Sequence, residues 1–227
     1  MIAIGDSITE GYLDGDCWQP RDWHPFTNRL ELLVNGSHRD ITIQESGPFT
    51  EFVTGTVCRT NAIEIKNHGR SGERTREIKD RLKFVLSREK KHHFKYATLL
   101  SGLNDIGEIH DLQELGQLVV DDIKQMCSML RKHGCKFIFL MTLPICPLDL
   151  ELEWYRNIKK WLNARIRKEC GKMDGVVLVD LARNSTMIAT KENQKQLFWD
   201  HLHYTPQGYD LLADILFSHF VAVSREK

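Results

Sequence analysis

Short apolar runs bounded by turn residues recur along the chain at Ile2–Ile4, Ala62–Ile65, Tyr96–Ser101, Phe137–Thr142 and Val176–Asp180. Each is rich in aliphatic or β-branched side chains, the pattern of a strand buried on both faces. Between these runs the apolar period changes. Leu112, Leu115, Val119, Ile123, Met126 and Leu130 recur at three- and four-residue spacing, which lays one stripe along a helix. Ile78, Leu82 and Val85 repeat the device, and Tyr155, Ile158, Leu162 and Ile166 do so again. A last helix opens at Thr205-Pro206, a capping hydroxyl followed by proline in the first turn. Strand and helix therefore alternate. That order predicts right-handed crossovers and an α/β fold in which helices cover both faces of a parallel sheet. Ligands of such sheets bind beyond the carboxyl ends of the strands.

One interval is too long for the pattern. From Ser7 to Asn67 the chain runs about twice the ~30 residues of a simple β-α-β unit, so the 227 residues read as one domain carrying an insertion roughly within 13–60. The extra stretch holds Trp18, Trp23, His24, Pro25 and Phe26, and its Gly47–Thr60 segment reads as a hairpin or a cap near the strand ends.

Charge changes the picture by exclusion. Lys plus Arg equal Asp plus Glu at 31 each, so no global field draws the protein to nucleic acid or to an anionic membrane. The basic run Arg88–His93 reads as a solvated helix end. A small neutral substrate fits this balance better than a polyanion. The six cysteines form no C-x-x-C pair and no metal-type cluster with histidine, which argues against a zinc site. Cys127 and Cys135 flank a predicted helix end where a disulfide is conceivable, but reduced structural thiols are the expectation, and with them a cytoplasmic location. No charged and apolar leader precedes Met1-Ile2-Ala3-Ile4, and no apolar run approaches the roughly 18 residues of a membrane span. The sequence does not specify an oligomeric state.

The candidate chemistry sits where strands end. The first strand runs into Gly5-Asp6-Ser7-Ile8-Thr9, which puts a hydroxyl at a strand-to-helix turn. A helix N-terminus there offers free N–H groups and a positive dipole end, both favourable to an oxyanion, although a serine in that place also serves as a helix cap. The second strand is followed by Asn67-His68-Gly69-Arg70-Ser71-Gly72-Glu73, the third by Gly102-Leu103-Asn104-Asp105. Asp200-His201-Leu202-His203 stands just before the closing helix with a carboxylate and two imidazoles. Taken singly, each is an ordinary turn. Together they provide what acyl transfer needs: a nucleophile, a base, and donors for developing negative charge. Ser71 lacks the final glycine of a G-x-S-x-G elbow, and Ser101 ends a buried run.

In their order, GDSIT, N-x-G-x-x-G, G-x-N-D and a late D-x-x-H resemble the blocks of the SGNH (GDSL) hydrolase superfamily, and the match extends from residue 5 to residue 209, although the long stretch before Asn67 departs from compact members. The resemblance implies a flavodoxin-like three-layer α/β/α sandwich with a central parallel sheet. It also implies Ser7 as nucleophile, Asp200 and His203 as its triad partners, and Ser7 N–H, Gly72 N–H and the Asn104 amide as the oxyanion hole. The family's aspartate orients the second imidazole, which selects His203 over His201. The activity it implies is cleavage of a small-molecule ester through an acyl-enzyme, without cofactor or metal. A lysophospholipase or thioesterase, and a flavodoxin-like binding module without turnover, are the rival readings. The mixture of aromatics with Asp14, Asp16, Arg21, Asp22 and His24 suits a short acyl group on a polar alcohol contacted by Trp18, Trp23 and Phe26.

Overall fold

The computed structural model describes residues 1–13, 23–36, 62–89 and 94–225. Among them five strands form one sheet: β1 (Ile2–Gly5), β2 (Lys66–Gly69), β3 (Tyr96–Leu99), β4 (Phe137–Met141) and β5 (Val176–Val179). Every neighbouring pair is parallel and the order is β2-β1-β3-β4-β5, that of flavodoxin-like doubly wound sheets. The central strands are apolar apart from the buried Thr98 of β3, because both their faces are covered. Ile2, Ile4, Ala97, Leu99, Ile138 and Leu140 are completely buried.

Right-handed crossovers fix which helices cover which face. Helix α2 (Phe26–Val34) packs on the closing helix α8 (Pro206–Ser224), while α3 (Thr75–Arg88) packs on α4 (Gln117–Lys132) across the sheet. The α4 stripe extends backwards through a wide turn at Leu112–Gly116, and that of α6 (Glu153–Arg165), which follows the short α5 (Pro147–Glu151), continues through another at Ile166–Cys170, while the short α7 (Gln194–Leu197) precedes α8. Thr205 caps α8 by accepting the Gly208 N–H, with Pro206 in the first turn as the sequence predicts.

The second strand falls later than its apolar run. Ala62–Ile65 lies outside the ladder, held by side chains of α2 and its end: Ile63 N–H donates to Asn35 Oδ1 and Ile65 N–H to Glu31 Oε2. The ladder uses Lys66–Gly69, with Ile2 opposite Lys66 and Gly5 opposite Gly69. The physical reason is position, since β2 is an edge strand with one neighbour and need not be apolar. Asn67 contributes otherwise, its Nδ2 donating to Thr9 O at 2.7 Å and thereby fastening the short helix α1 (Ser7–Glu10) over the strand. At Gly69 the backbone of α1 lies so close that a Cβ would stand 2.1 Å from Glu10 N and 2.5 Å from Glu10 Cα. Gly69→Ala is therefore expected to destabilise the protein by about 1–3 kcal/mol, the usual cost of overpacking, because backbone and not a flexible side chain must move. A fall of several degrees in the thermal unfolding midpoint checks it, and an unchanged midpoint contradicts the close approach.

Part of the long interval before Asn67 is ordinary domain structure. Phe26, Thr27 and Leu30 of α2 are buried, and Arg29 makes a paired contact with Asp214 of α8 at 2.8 and 3.0 Å. Trp18, Cys17, Cys58, the Gly47–Thr60 segment and residues 90–93 of the basic run lie outside the described residues. Cys127, Cys135, Cys146 and Cys170 are buried free thiols, so the disulfide conceivable between Cys127 and Cys135 is not formed. Burial pushes Cys135 and Cys170 up to about 12, which leaves them protonated and unreactive. Lys159 on α6 is a charge the helical stripe did not announce. Fully buried, it pairs with the equally buried Asp149 at 2.6 Å and donates to Pro144 O at 2.9 Å. No helix among the described residues is long and apolar enough to cross a membrane.

Candidate active site

At the carboxyl end of β1 the chain turns through Asp6, whose backbone is extended and whose Oδ1 accepts the Ile8 N–H at 3.1 Å. Asp6 thus caps the helix, and the Ser7 hydroxyl is left for other work. Ser7 Oγ lies 2.9 Å from His203 Nε2, although 196 positions separate the two residues. On the far side of the ring, His203 Nδ1 is 2.7 Å from Asp200 Oδ2. Asp200 Oδ1 accepts the backbone N–H groups of Leu202 and His203, each at 2.6 Å, so the same carboxylate shapes the turn and aims the ring. Burial works to raise the Asp200 carboxyl, but the hydrogen bonds from the His203 ring and from the two N–H groups outweigh it, and the net shift is downward. An ionised Asp200 requires Nδ1 to carry the hydrogen. Nε2 is then the acceptor facing the Ser7 hydroxyl.

Burial has the opposite outcome at Asp6. Desolvation raises its carboxyl to about 7 against the downward pull of the Ile8 N–H and of His203. A carboxyl that is neutral for part of the time beside Ser7 opposes a developing oxyanion less than a fixed anion does.

The α1 helix is a single turn, ended by Gly11 in the left-handed region at φ 83°. So short a helix carries little dipole, and what it offers a ligand is the Ser7 N–H itself, the first amide of the turn. Residues 70–73 run alongside. Arg70 N–H donates to Gly5 O at 3.1 Å, and the Ser71 hydroxyl donates to Glu10 Oε2 at 2.6 Å. Between them and Glu73, Gly72 adopts φ 79° with open space where a Cβ would point, which leaves its backbone approachable. From the loop after β3, Asn104 Nδ2 donates to Glu73 O at 2.9 Å. This contact holds the amide and leaves its second N–H available. Asp105 secures the same loop by accepting the N–H and hydroxyl of Thr75, the first residue of α3, at 3.0 and 2.7 Å.

The other candidates are occupied elsewhere. His201 turns outward to Glu151 at 3.1 Å with both side chains more than half exposed, and Ser101 is buried with its hydroxyl on Thr75 Oγ1 at 2.9 Å. Of the aromatic residues read as substrate contacts, Phe26 is completely buried in the core and has no surface to offer. Trp23 is 42% exposed and meets Tyr12 edge to face at 5.8 Å, and Tyr12 in turn lies 4.9 Å from the His203 ring. The Tyr209 hydroxyl fixes this wall by donating to Tyr12 O at 3.0 Å.

Sequence reasoning passed over Tyr12, Glu10 and Trp199. Glu10 had a signal, standing three residues after Ser7 and so on the same side of a helical turn. Trp199 directly precedes Asp200, is exposed, and donates its N–H to His203 O at 2.8 Å. Tyr12 had no signal, because its neighbour His203 comes from the other end of the chain. Among the described residues no three His, Cys, Asp or Glu side chains are grouped to hold a metal ion.

The sequence pattern of the GDSL-like Lipase/Acylhydrolase family matches residues 3–211. No curated protein matches the chain in sequence. Among solved structures, a GDSL-like lipase from Bacteroides thetaiotaomicron superposes with a TM-score of 0.60 at 15% identity, covering 100% of this chain and 88% of its own. The acetyl xylan esterase AlAXEase gives 0.61 at 20%, covering 96% and 97%. The lipase Lip_vut3 from a goat rumen metagenome gives 0.63 at 14%, covering 96% and 95%. At these identities the likeness concerns the fold.

Proposed function

The chain belongs to the GDSL-like lipase/acylhydrolase family, as a carboxylic ester hydrolase, and from this premise we propose that it cleaves short-chain acyl esters, acetyl esters of polar alcohols above all, through an acyl-enzyme on Ser7. The observation that carries the reading is the continuous line Ser7 Oγ, His203 Nε2, His203 Nδ1, Asp200 Oδ2, with contacts of 2.9 and 2.7 Å. In it His203 takes the Ser7 proton as the oxygen attacks the ester carbonyl. Ser7 N–H, Gly72 N–H and the second Asn104 N–H then receive the tetrahedral oxyanion. The protonated ring, its charge supported by Asp200, hands the proton to the leaving alcohol. Water repeats the sequence on the acyl-enzyme and regenerates Ser7.

The substrate side of the proposal rests on the wall of Tyr12 and Trp23 beside His203. A sugar-like alcohol stacks on such a surface while its hydroxyls remain solvated. An acetyl xylan esterase among the proteins of similar fold accords with that chemistry. A long acyl chain needs extended apolar lining, since each buried CH₂ is worth about 0.8 kcal/mol. Across p-nitrophenyl acetate, butyrate, octanoate and palmitate, kcat/KM is therefore expected to fall with length. A steady rise would transfer the protein to the lysophospholipase type. Trp23→Ala is expected to raise KM for an acetylated sugar about two- to tenfold, in line with a lost aromatic contact of about 0.5–1.5 kcal/mol, with p-nitrophenyl acetate little affected. Equal KM values for the sugar ester in folded variant and parent would remove the stacking role.

A further inference from the structure

Arg81 is a charge on the wrong side of its helix. It shares the buried face of α3 with Ile78, Leu82 and Val85, and its side chain is 16% exposed. Its guanidinium is divided among three partners. Nη2 donates to Gly5 O at 2.9 Å, Nη1 donates to His68 O, and Nε pairs with Glu73 Oε2 at 2.7 Å. The first two are carbonyls at the ends of β1 and β2, and Gly5 O takes the Arg81 donor in addition to the Arg70 N–H, using both of its lone pairs. The third belongs to the residue next to Gly72, and the main-chain oxygen of that same Glu73 accepts the Asn104 amide.

One side chain thus ties together the backbone that precedes Ser7, the end of β2, the turn that carries Gly72 and, through Glu73, the amide of Asn104. These are the parts that contribute the three oxyanion donors in the proposed mechanism, on which this inference rests. We infer that Arg81 is a positioning residue that holds those donors in register with Ser7 without touching the substrate. The planar fork is suited to this because its donors point in fixed, divergent directions, so satisfying two carbonyls and a carboxylate at once fixes their mutual spacing. Lysine carries the same charge but concentrates it on one nitrogen at the end of a flexible stem, and cannot span the three acceptors. Glu10 braces the turn from the opposite side through Ser71, so loss of Arg81 loosens the turn without releasing it.

The test uses p-nitrophenyl acetate hydrolysis by the whole protein and its Arg81→Lys, Glu73→Gln, Asn104→Ala, Arg81→Lys/Asn104→Ala and Ser7→Ala variants, with circular dichroism and thermal unfolding to establish folding. Misplaced donors act on the transition state, so Arg81→Lys is expected to lower kcat about tenfold or more while KM changes less than about threefold. Glu73→Gln should show a smaller loss of the same kind, and it carries the test if Arg81→Lys does not fold. The acidic limb of the pH profile should not move, because the base is untouched. Once Asn104 is gone, Arg81→Lys should still lower kcat, but by less than it does in the parent, since one of the three donors that Arg81 positions is already absent. A folded Arg81→Lys protein with kcat near the parent's, or one whose loss simply multiplies with that of Asn104→Ala, overturns the inference. If Ser7→Ala is inactive while Arg81→Lys is unaffected, only the role of Arg81 fails. If Ser7→Ala retains activity, the reading of the site fails with it.

Discussion

Ser7→Ala and His203→Ala are each expected to remove nearly all ester turnover, a loss in kcat on the order of 10,000-fold or more, while the protein keeps its fold. Neither side chain carries the architecture. Ser7 is the first residue of a helix that Asp6 caps, and the His203 ring makes one hydrogen bond to Ser7, one to Asp200 and a ring contact with Tyr12. The two act as a single device for moving one proton, so the double variant should be no worse than either single one. Steady-state kinetics with circular dichroism checks the expectation. Independent, multiplying losses would mean that the 2.9 Å contact is not used in the reaction. The same device sets the pH response. A protonated imidazole cannot accept the Ser7 hydrogen, so kcat/KM should rise as the base loses its proton and then level off. Near-parental hydrolysis by pure Ser7→Ala protein would end the assignment of the nucleophile.

Asp200→Asn should lower kcat by about 1,000- to 10,000-fold, although it changes a single atom of a side chain that never reaches the substrate. The asparagine carbonyl can still accept the Leu202 and His203 N–H groups that Oδ1 accepts now, so the turn survives. What changes is the partner of Nδ1. An NH₂ group in place of Oδ2 is a donor, which forces Nδ1 to accept and moves the ring hydrogen to Nε2, where it faces Ser7 and blocks proton removal. His201→Ala is the matched control, because that ring turns to the exposed Glu151, and it should retain activity close to the parent's. Comparable losses in the two variants would assign the base to the wrong imidazole. Linkage adds a stability signature. The Asp200 carboxyl is depressed in the folded protein, so its contribution is present above the ordinary carboxylate range and disappears as pH falls through the lower, folded value. Asp200→Asn should therefore flatten the acid side of the stability profile.

In the proposed mechanism the oxyanion donors and the base differ in how they are held. The base hangs from one turn whose geometry a single carboxylate sets. The oxyanion donors come from three strand ends, and Glu10, Asp105 and Arg81 keep them together from three directions. Disturbance of the hole is thus spread over several residues, whereas the base has one point of failure.

By itself the sequence determined the α/β class, the places of β1, β3, β4 and β5, and the helices α3, α4, α6 and α8, while α2 lay hidden in what read as an insertion. Burial on both faces, or along one stripe, leaves a period that short-range reading detects. It also placed a serine, a glycine, an asparagine and a D-x-x-H motif beyond strand ends, because topology puts those ends on one edge of a parallel sheet. What depends on residues far apart in the chain was left to the tertiary structure. The family resemblance had selected His203 over His201, but the reason lies in the tertiary structure, where rotation of the last turn before α8 points the first of these to Ser7 and the second outward. Only there is β2 an edge strand, free to use Lys66–Gly69 in place of the apolar run before it. Phe26 and Trp23 look alike as aromatics of one stretch, yet packing on α8 draws the first into the core and leaves the second at the surface beside Tyr12. Arg81 is the extreme case. Its position on an apolar stripe reads as an error of pattern until the ends of β1 and β2 bring their carbonyls within its reach, because a charge is tolerated in the interior only where folding assembles partners for it.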